Sequence, residues 1–292
     1  MPSWNSGTPP ILQPPEPMND RDFLQKLLDD RRQGRPIICA GVGSGVTAKG
    51  AVEGGADLLA VYNTAVYRIM GLPTALAFLP YDDANRLTFD VLPQVMAASG
   101  RTPVLAGIGV HDPRVDLERV LTQVAGMGVA GVTNEPFIGI YSPDLRAHLE
   151  AAGLGFGREV SLVRQAVERN LLTLGWVFDA SQAAAMTEAG AHLLGINLGL
   201  TTFGTNNPGH LDQAIGTLHE IVKAAQGVRR DIFTLIHGGP FNDPETVAAA
   251  LRATGADGYV TGSTAEATPV RAAVADTIRR FRAGSTSSAR KA

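Results

Sequence analysis

The feature that most constrains this chain is an alternation: a short apolar run, a polar or glycine-rich turn, then a stretch with helical spacing. From Pro36 onward it recurs eight times, with apolar runs at 36–40, 57–62, 102–108, 129–133, 171–178, 191–196, 232–237 and 258–261. Strands separated by helices pair in parallel, because the helical crossover returns the chain to the same end of the sheet. Eight such units in 292 residues predict a (β/α)8 TIM barrel of class α/β. A doubly wound open sheet is the alternative, but it does not account for eight units. Three near-repeats support the register: 54–57 (GGAD), 189–192 (AGAH) and 254–257 (TGAD) each end a helix on glycine and enter the next strand at once.

The last two units carry the most specific local signal. Residues 232–240 (IFTLIHGGP) run from an apolar strand into a histidine and two glycines, and Asp243-Pro244-Glu245 then opens a helix with an N-cap, a proline at N1 and a first-turn acid. Residues 258–264 (GYVTGST) repeat the design. Paired glycine turns after strands seven and eight are where such barrels hold phosphate. The backbone N–H groups of Gly238, Gly239, Gly262 and Ser263 are therefore expected to face an anion, with simple tight turns as the alternative.

Elsewhere the punctuation sets the boundaries. Residues 1–18, rich in Pro, Ser, Gly and Asn, read as a disordered arm; 19–283 read as the barrel domain and 284–292 as a flexible tail. Residues 20–32 carry Phe23, Leu24, Leu27 and Leu28 at helical spacing, which suits a plug for the N-terminal end of the barrel or an oligomer contact. The run GVGSG at 41–45 lacks the third glycine and the downstream acid of a dinucleotide fingerprint, so Gly43 and Ser44 are expected to admit substrate at the first loop. After the second strand comes a long connection holding Tyr67, Arg68 and Tyr81, of the length of a lid. Arg68 there either meets a carboxylate or phosphate or is a solvated surface arginine. Asp112-Pro113 is expected to cap the helix that follows the third strand, and that helix is expected over 115–125.

A net charge of −3 gives no reason to expect nucleic acid or an anionic membrane as a partner, and no apolar run is long enough to span a bilayer. One cysteine, Cys39, excludes an internal disulfide framework and fits a reducing cytoplasm. The strand ends read Ser44, Asn63, His111, Asn134 or Glu135, Asp179, Asn197 and His237, a polar set poor in carboxylates. Amides do not exchange protons readily but donate well, so Asn63, Asn134 and Asn197 are expected to hold an enolate or oxyanion. His237 is the candidate acid–base group because an unperturbed imidazole titrates near neutrality. Glu135 is the best carboxylate, as base, as metal ligand or as a loop residue turned outward. Thr201, in the loop after the sixth strand, joins Gly43, Ser44, Tyr67, Arg68 and Tyr81 as a candidate substrate contact. No HxH, HExxH or paired-carboxylate motif is present; magnesium held mostly by water and substrate stays open, since it needs few protein ligands.

Several phrases together resemble the phosphoenolpyruvate hydrolase-like TIM-barrel family, also described as TIM-barrel signal transduction proteins. They are Tyr62-Asn63 with Tyr67-Arg68, Leu79-Pro80-Tyr81 with Ala84-Asn85, residues 102–107 (TPVLAG), and Ala130-Gly131-Val132 with Asn134. Gly155-Phe156-Gly157 with Glu159, residues 183–187 (AAAMT), residues 199–202 (GLTT) and residues 237–240 (HGGP) continue the likeness. The resemblance implies distant kinship with phosphonopyruvate hydrolase and phosphoenolpyruvate mutase. It implies a lyase or hydrolase acting on a C–C or C–P bond next to a carbonyl in a small oxo-acid. A homo-oligomer is expected. The alternatives are a metabolite-binding sensor without turnover, and an isomerase or synthase of the indole-glycerol-phosphate type. Against the latter, none of Lys26, Lys49, Lys223 and Lys291 falls at a strand tip.

Overall fold

A computed structural model describes residues 20–200 and 208–288, so the 1–18 arm, Thr201 and the last four residues of the expected tail lie outside the described residues. Eight parallel strands close into one barrel in chain order: β1 (Ile37–Gly41), β2 (Leu58–Val61), β3 (Val104–Gly107), β4 (Gly131–Thr133), β5 (Leu172–Val177), β6 (Leu193–Asn197), β7 (Phe233–His237) and β8 (Gly258–Thr261). Closure pairs Ile37 with Gly258 and Ala40 with Thr261. Helix α1 (Asp20–Arg32) precedes β1, and α2 (Gly45–Glu53) follows it. Then come α3 (Asn63–Ile69), α4 (Ala84–Ser99), α5 (Leu117–Gly126), α6 (Pro143–Ala151), α7 (Phe156–Glu168), α8 (Ala180–Glu188), α9 (Pro208–Val228), α10 (Pro244–Thr254) and α11 (Ala267–Ser288).

Side chains alternate along each strand as the pleat requires. On β2, Leu58 and Ala60 point into the barrel while Leu59 and Val61 pack under α2 and α4. Leu172, Leu174 and Trp176 of β5 and Phe233 and Leu235 of β7 join the same interior cluster. Two large rings, Tyr62 and Trp176, form its upper layer, and glycines on neighbouring strands make room for them. A Cβ on Gly195 would come within 2.6 Å of the Trp176 ring, and one on Gly41 or Gly107 would collide with Tyr62.

The lower end is plugged by α1. Phe23 and Leu27 are fully buried in the interior cluster, which decides between the two roles open to this helix. Two of the repeated phrases explain how the plug is held. Asp57 accepts from the Ile38 amide at 2.8 Å and also pairs with Lys26. Asp257 accepts from the Thr234 amide at 2.8 Å and takes Arg31 Nε at 2.6 Å and Nη2 at 3.0 Å. Each aspartate thus ties two adjacent strands and a cation of α1. In the third phrase His192 bonds Thr173 Oγ1 through both its amide and its ring.

Some expectations need correction. The connection after β2 is not an open lid: Asn63–Ile69 forms a buried helix, and a 3-10 turn follows at Thr74–Phe78. Asp112 does not cap α5; that helix starts later with Asp116 as its cap, while Asp112 pairs with Arg114 in the preceding turn. The last helix runs to Ser288, so residues 284–288, read as tail, are helical. Asp243 caps α10 as expected, and Asp179 and Ser142 cap α8 and α6.

Phe23→Ala should destabilise the protein by ~3–5 kcal/mol, as expected for emptying a core aromatic site. Denaturant unfolding measures it, and an unchanged midpoint would mean that α1 does not plug the barrel.

Candidate active site

The C-terminal mouth holds a cavity of about 420 Å³, a size suited to a small metabolite. Its polar wall includes Thr64 and Arg68 of α3, Glu135 after β4, Asn197 at the end of β6 and His237 at the end of β7. Gly262, Ser263 and Arg271 complete it near the start of α11, with Tyr62, Phe78 and Phe137 as apolar floor and wall.

Glu135 is buried, not turned outward. Thr64 Oγ1 donates to its Oε1, and Oε2 has no hydrogen-bond partner. Burial pushes its carboxyl up to about 7 against the opposing pulls of Thr64 and Arg68. The indole N–H of Trp176 acts in the same direction as those two without closing to hydrogen-bond geometry.

His237 is half-buried and its Nδ1 donates to the Val260 carbonyl at 2.8 Å, so in the neutral ring Nε2 is a bare acceptor. Burial, with a smaller contribution from Arg68, drives its pKa down to about 4. The imidazole stands edge-on to Trp176, ring centroids 5.2 Å apart. It is thus neutral at physiological pH and a weak proton carrier. Of the two candidate acid–base groups, Glu135 has the pKa nearer neutrality.

Arg68 is neither solvated nor on a lid. It is buried on α3, and its Nε meets Glu266 Oε2 at 2.7 Å in an ion pair buried on both sides. Burial pushes the Glu266 carboxyl up to about 7, while Arg68 and the Gly43 amide oppose this; the guanidinium, raised by Glu266, stays charged.

The remaining expected residues have other partners. Asn134 Oδ1 accepts from the Trp176 amide at 2.6 Å, and its Nδ2 donates to the Trp176 carbonyl and to Glu159 of α7. Glu159 also takes the Ile138 amide at 2.9 Å and is pushed up to about 8 by burial. This pair frames the loop that presents Glu135 and does not face the cavity. Asn63 donates to Ala77 O at 2.7 Å and fixes the 3-10 turn. Asn197 lines the cavity, but its Oδ1 is occupied by the Gly199 amide at 2.8 Å. Ser44 caps α2. Gly43 lets the first loop pack on the backbone of α3, since a Cβ there would collide with Ala65 O. Tyr67 donates to Asp82 at 2.9 Å, and Tyr81 is 71% exposed away from the mouth.

Of the glycine corner, only Gly262 and Ser263 reach the cavity. Gly238 and Gly239 have φ of 75° and 54°, and the Gly239 amide donates to Gly199 O at 3.3 Å. They tie the β7 turn to the β6 loop.

Glu266, Trp176 and Thr64 belong to the site but were not expected. Thr64 sits one residue past the strand-end position, and Glu266 lies in an unremarkable Ala-Glu-Ala run. Only the strand-end position of Trp176 could have flagged it.

Among the described residues no group of three or more His, Cys, Asp or Glu converges. The cavity wall offers one carboxylate, Glu135, beside the Arg68 cation. That donor set does not build a protein-held magnesium site.

A parallel barrel with its polar cavity at the C-terminal mouth belongs to the class of enzyme-bearing (β/α)8 barrels. More particularly, the chain belongs to the phosphoenolpyruvate hydrolase-like family, whose sequence pattern matches residues 22–283. It is 34% identical over 273 residues to the ToMV resistance protein Tm-1(GCR237) of Solanum lycopersicum, covering 92% of this chain and 36% of that protein. The chain thus spans about a third of the length of that relative. Its barrel resembles phosphonopyruvate hydrolase, solved with oxalate and Mg++ (TM-score 0.62, 14% identity, 92% of this chain and 88% of that one). It also resembles oxaloacetate acetylhydrolase, solved with 3,3-difluorooxalacetate (TM-score 0.61, 19% identity, 92% and 88%).

The shifted carboxyls predict a pH dependence of stability. Glu135 and Glu159 hold protons more tightly when folded, so their contribution is full below about pH 4.5 and lost as pH rises through about 7 and 8. His237 works oppositely: its contribution is full above 6.5 and lost as pH falls through about 4. Between pH 6.5 and 8 the glutamates dominate, so the thermal midpoint should fall as pH rises. Glu159→Gln should flatten that fall; a midpoint rising across the window would contradict the assignment.

Proposed function

We propose that this chain is an enzyme that breaks a carbon–carbon or carbon–phosphorus bond next to a carbonyl in a small oxo-acid, through an enolate. The observation that carries the reading is Glu135: a buried carboxyl on the cavity wall, one oxygen free, with a pKa raised to about 7. Such a group exists in both protonation states at neutral pH, as a shared acid and base must.

For a 2-hydroxy acid the steps balance without a second reactant. Glu135 takes the hydroxyl proton as the C–C bond breaks, and the bonding pair stays on the departing carbon as an enolate. Glu135 then returns the proton to that carbon, leaving an oxo-acid and a carboxylic acid. Hydrolysis of an oxo-acid at a C–C bond needs one water added at the carbonyl before the same cleavage; at a C–P bond the water adds to phosphorus instead, the bonding pair leaves on carbon as the enolate, and that carbon is then protonated. His237 Nε2 accepts a hydrogen bond from a substrate hydroxyl and orients it. Gly262, Ser263 and Arg271, near the first turn of α11, favour a carboxylate or phosphonate end, because the helix N-terminus and the guanidinium are both positive. No step is routed through magnesium.

The reading extends to assembly in the cytoplasm as a homo-oligomer. Helix α11 leaves Val270, Val274, Ile278 and Phe281 exposed along its length, Phe281 at 73%, beside an apolar groove lined by Val42, Val46 and Ala51. A second copy is the partner we assign to this face. Sedimentation should find a dimer or larger species that Val274→Asp with Ile278→Asp converts to monomer; a monomeric wild type would refute the assignment.

Oxaloacetate, phosphonopyruvate and 2,3-dimethylmalate are the substrates to test, with products followed by NMR. Glu135→Gln should lower turnover by ~10²–10⁴, the usual worth of a general acid–base group. The wild-type rate for the 2-hydroxy acid should rise with pH through about 7 as Glu135 ionises. Wild-type turnover in Glu135→Gln would remove Glu135 from the chemistry, and binding without product would make the barrel a sensor.

A further inference from the structure

We propose that the buried Arg68 guanidinium, anchored by Glu266, is the resident cation of this cavity and binds the oxo-acid's oxygens directly, so that substrate binding needs no divalent metal. This rests on the oxo-acid reading above and adds to it which group supplies positive charge. Oxo-acid cleavage needs a cation or strong donors where negative charge develops, and a metal ion is one common source. Here the position is already filled from within the chain.

Three observations carry the inference. First, Arg68 lines the cavity and lies over the Tyr62 ring at 5.9 Å, yet its Nη2 is buried with no hydrogen-bond partner. An unpaired buried guanidinium N–H is costly, and a pair serving only as a structural tie would be expected to satisfy it. Second, Glu266 grips Arg68 through Nε and so fixes the guanidinium plane. An arginine held on one edge offers its remaining donors as a fixed fork, the geometry that matches a carboxylate. Third, the wall is poor in metal ligands and rich in donors. Among the described residues Glu135 is the one carboxylate lining the cavity, since Glu266, the counter-ion of Arg68, does not line it. A divalent ion entering there finds a single carboxylate, whereas a dicarboxylate finds the free donors of Arg68 and the charge of Arg271.

The test uses oxalate as probe and the full chain as it exists. Oxalate binding is measured by isothermal titration calorimetry, once with EDTA and once with magnesium chloride. The expected result is the same dissociation constant in both, within about twofold. Arg68→Lys keeps the charge but removes the fork, and should weaken oxalate by about tenfold or more, in line with the loss of a charge-assisted hydrogen bond. Circular dichroism reports whether that variant folds; if it does not, the EDTA comparison on the unaltered chain still decides. Oxalate bound only with magnesium overturns the inference and leaves the oxo-acid reading standing. Oxalate bound equally well by folded Arg68→Lys also overturns it. No oxalate binding under either condition overturns both.

Discussion

Closing eight parallel strands into a ring creates an interior that must be filled, and everything functional in this molecule rests on how that is done. From below, Phe23 and Leu27 of α1 complete the apolar column. From above, Tyr62 and Trp176 cap it, each accommodated by glycine on an adjacent strand. The cavity stands on those two rings. Tyr62 lies under the Arg68 guanidinium, while Trp176 meets His237 edge-on and has its backbone gripped by Asn134. The floor is therefore rigid for a packing reason, and the polar groups inherit its rigidity.

Above that floor the chain buries charge, which is expensive unless each charge is answered. Three glutamates are pushed upward by burial, and each is treated differently. Glu159 is enclosed by Asn134 and the Ile138 amide and serves as a frame. Glu266 holds Arg68 through Oε2, and its own unpaired Oε1 does not line the cavity. Glu135 is answered on one oxygen only, by Thr64, so its other oxygen remains for something that enters. The division of labour among chemically identical side chains comes from their neighbours. Carboxylates titrating near neutrality in a cleft are a recognised mark of functional sites.

The barrel was legible because its signals are local and repeated. Apolar runs, capping aspartates before α8 and α10, and glycines after helices each act within a few residues of themselves. The plug helix was legible to the residue because Phe23 and Leu27 share a face. The site was less so, since its contacts join distant parts of the chain. Asn134 looked like a substrate amide, yet its partners are a strand backbone 42 residues on and a helix glutamate 25 residues on. Arg68 stayed open between a carboxylate partner and solvent because its counter-ion lies 198 residues away. The buried helix α3 was hidden by its lack of a polar face: Asn63 through Arg68 are all buried, so no amphipathic period marks it. His237 was correctly located at the cavity, but the lowering of its pKa was not legible, because an unperturbed value says nothing about burial.

The clamp on the plug has a consequence for the order in which the molecule can be finished. Arg31 reaches the Asp231 and Ile232 carbonyls and the Asp257 carboxylate, 200, 201 and 226 residues along the chain. Synthesis runs from the N-terminus, so α1 leaves the ribosome well before its receptor. Until Asp257 has emerged, Phe23 and Leu27 have no completed interior to enter. This helix is therefore made long before it can dock, and the nascent chain carries its undocked apolar face until the eighth strand has been made.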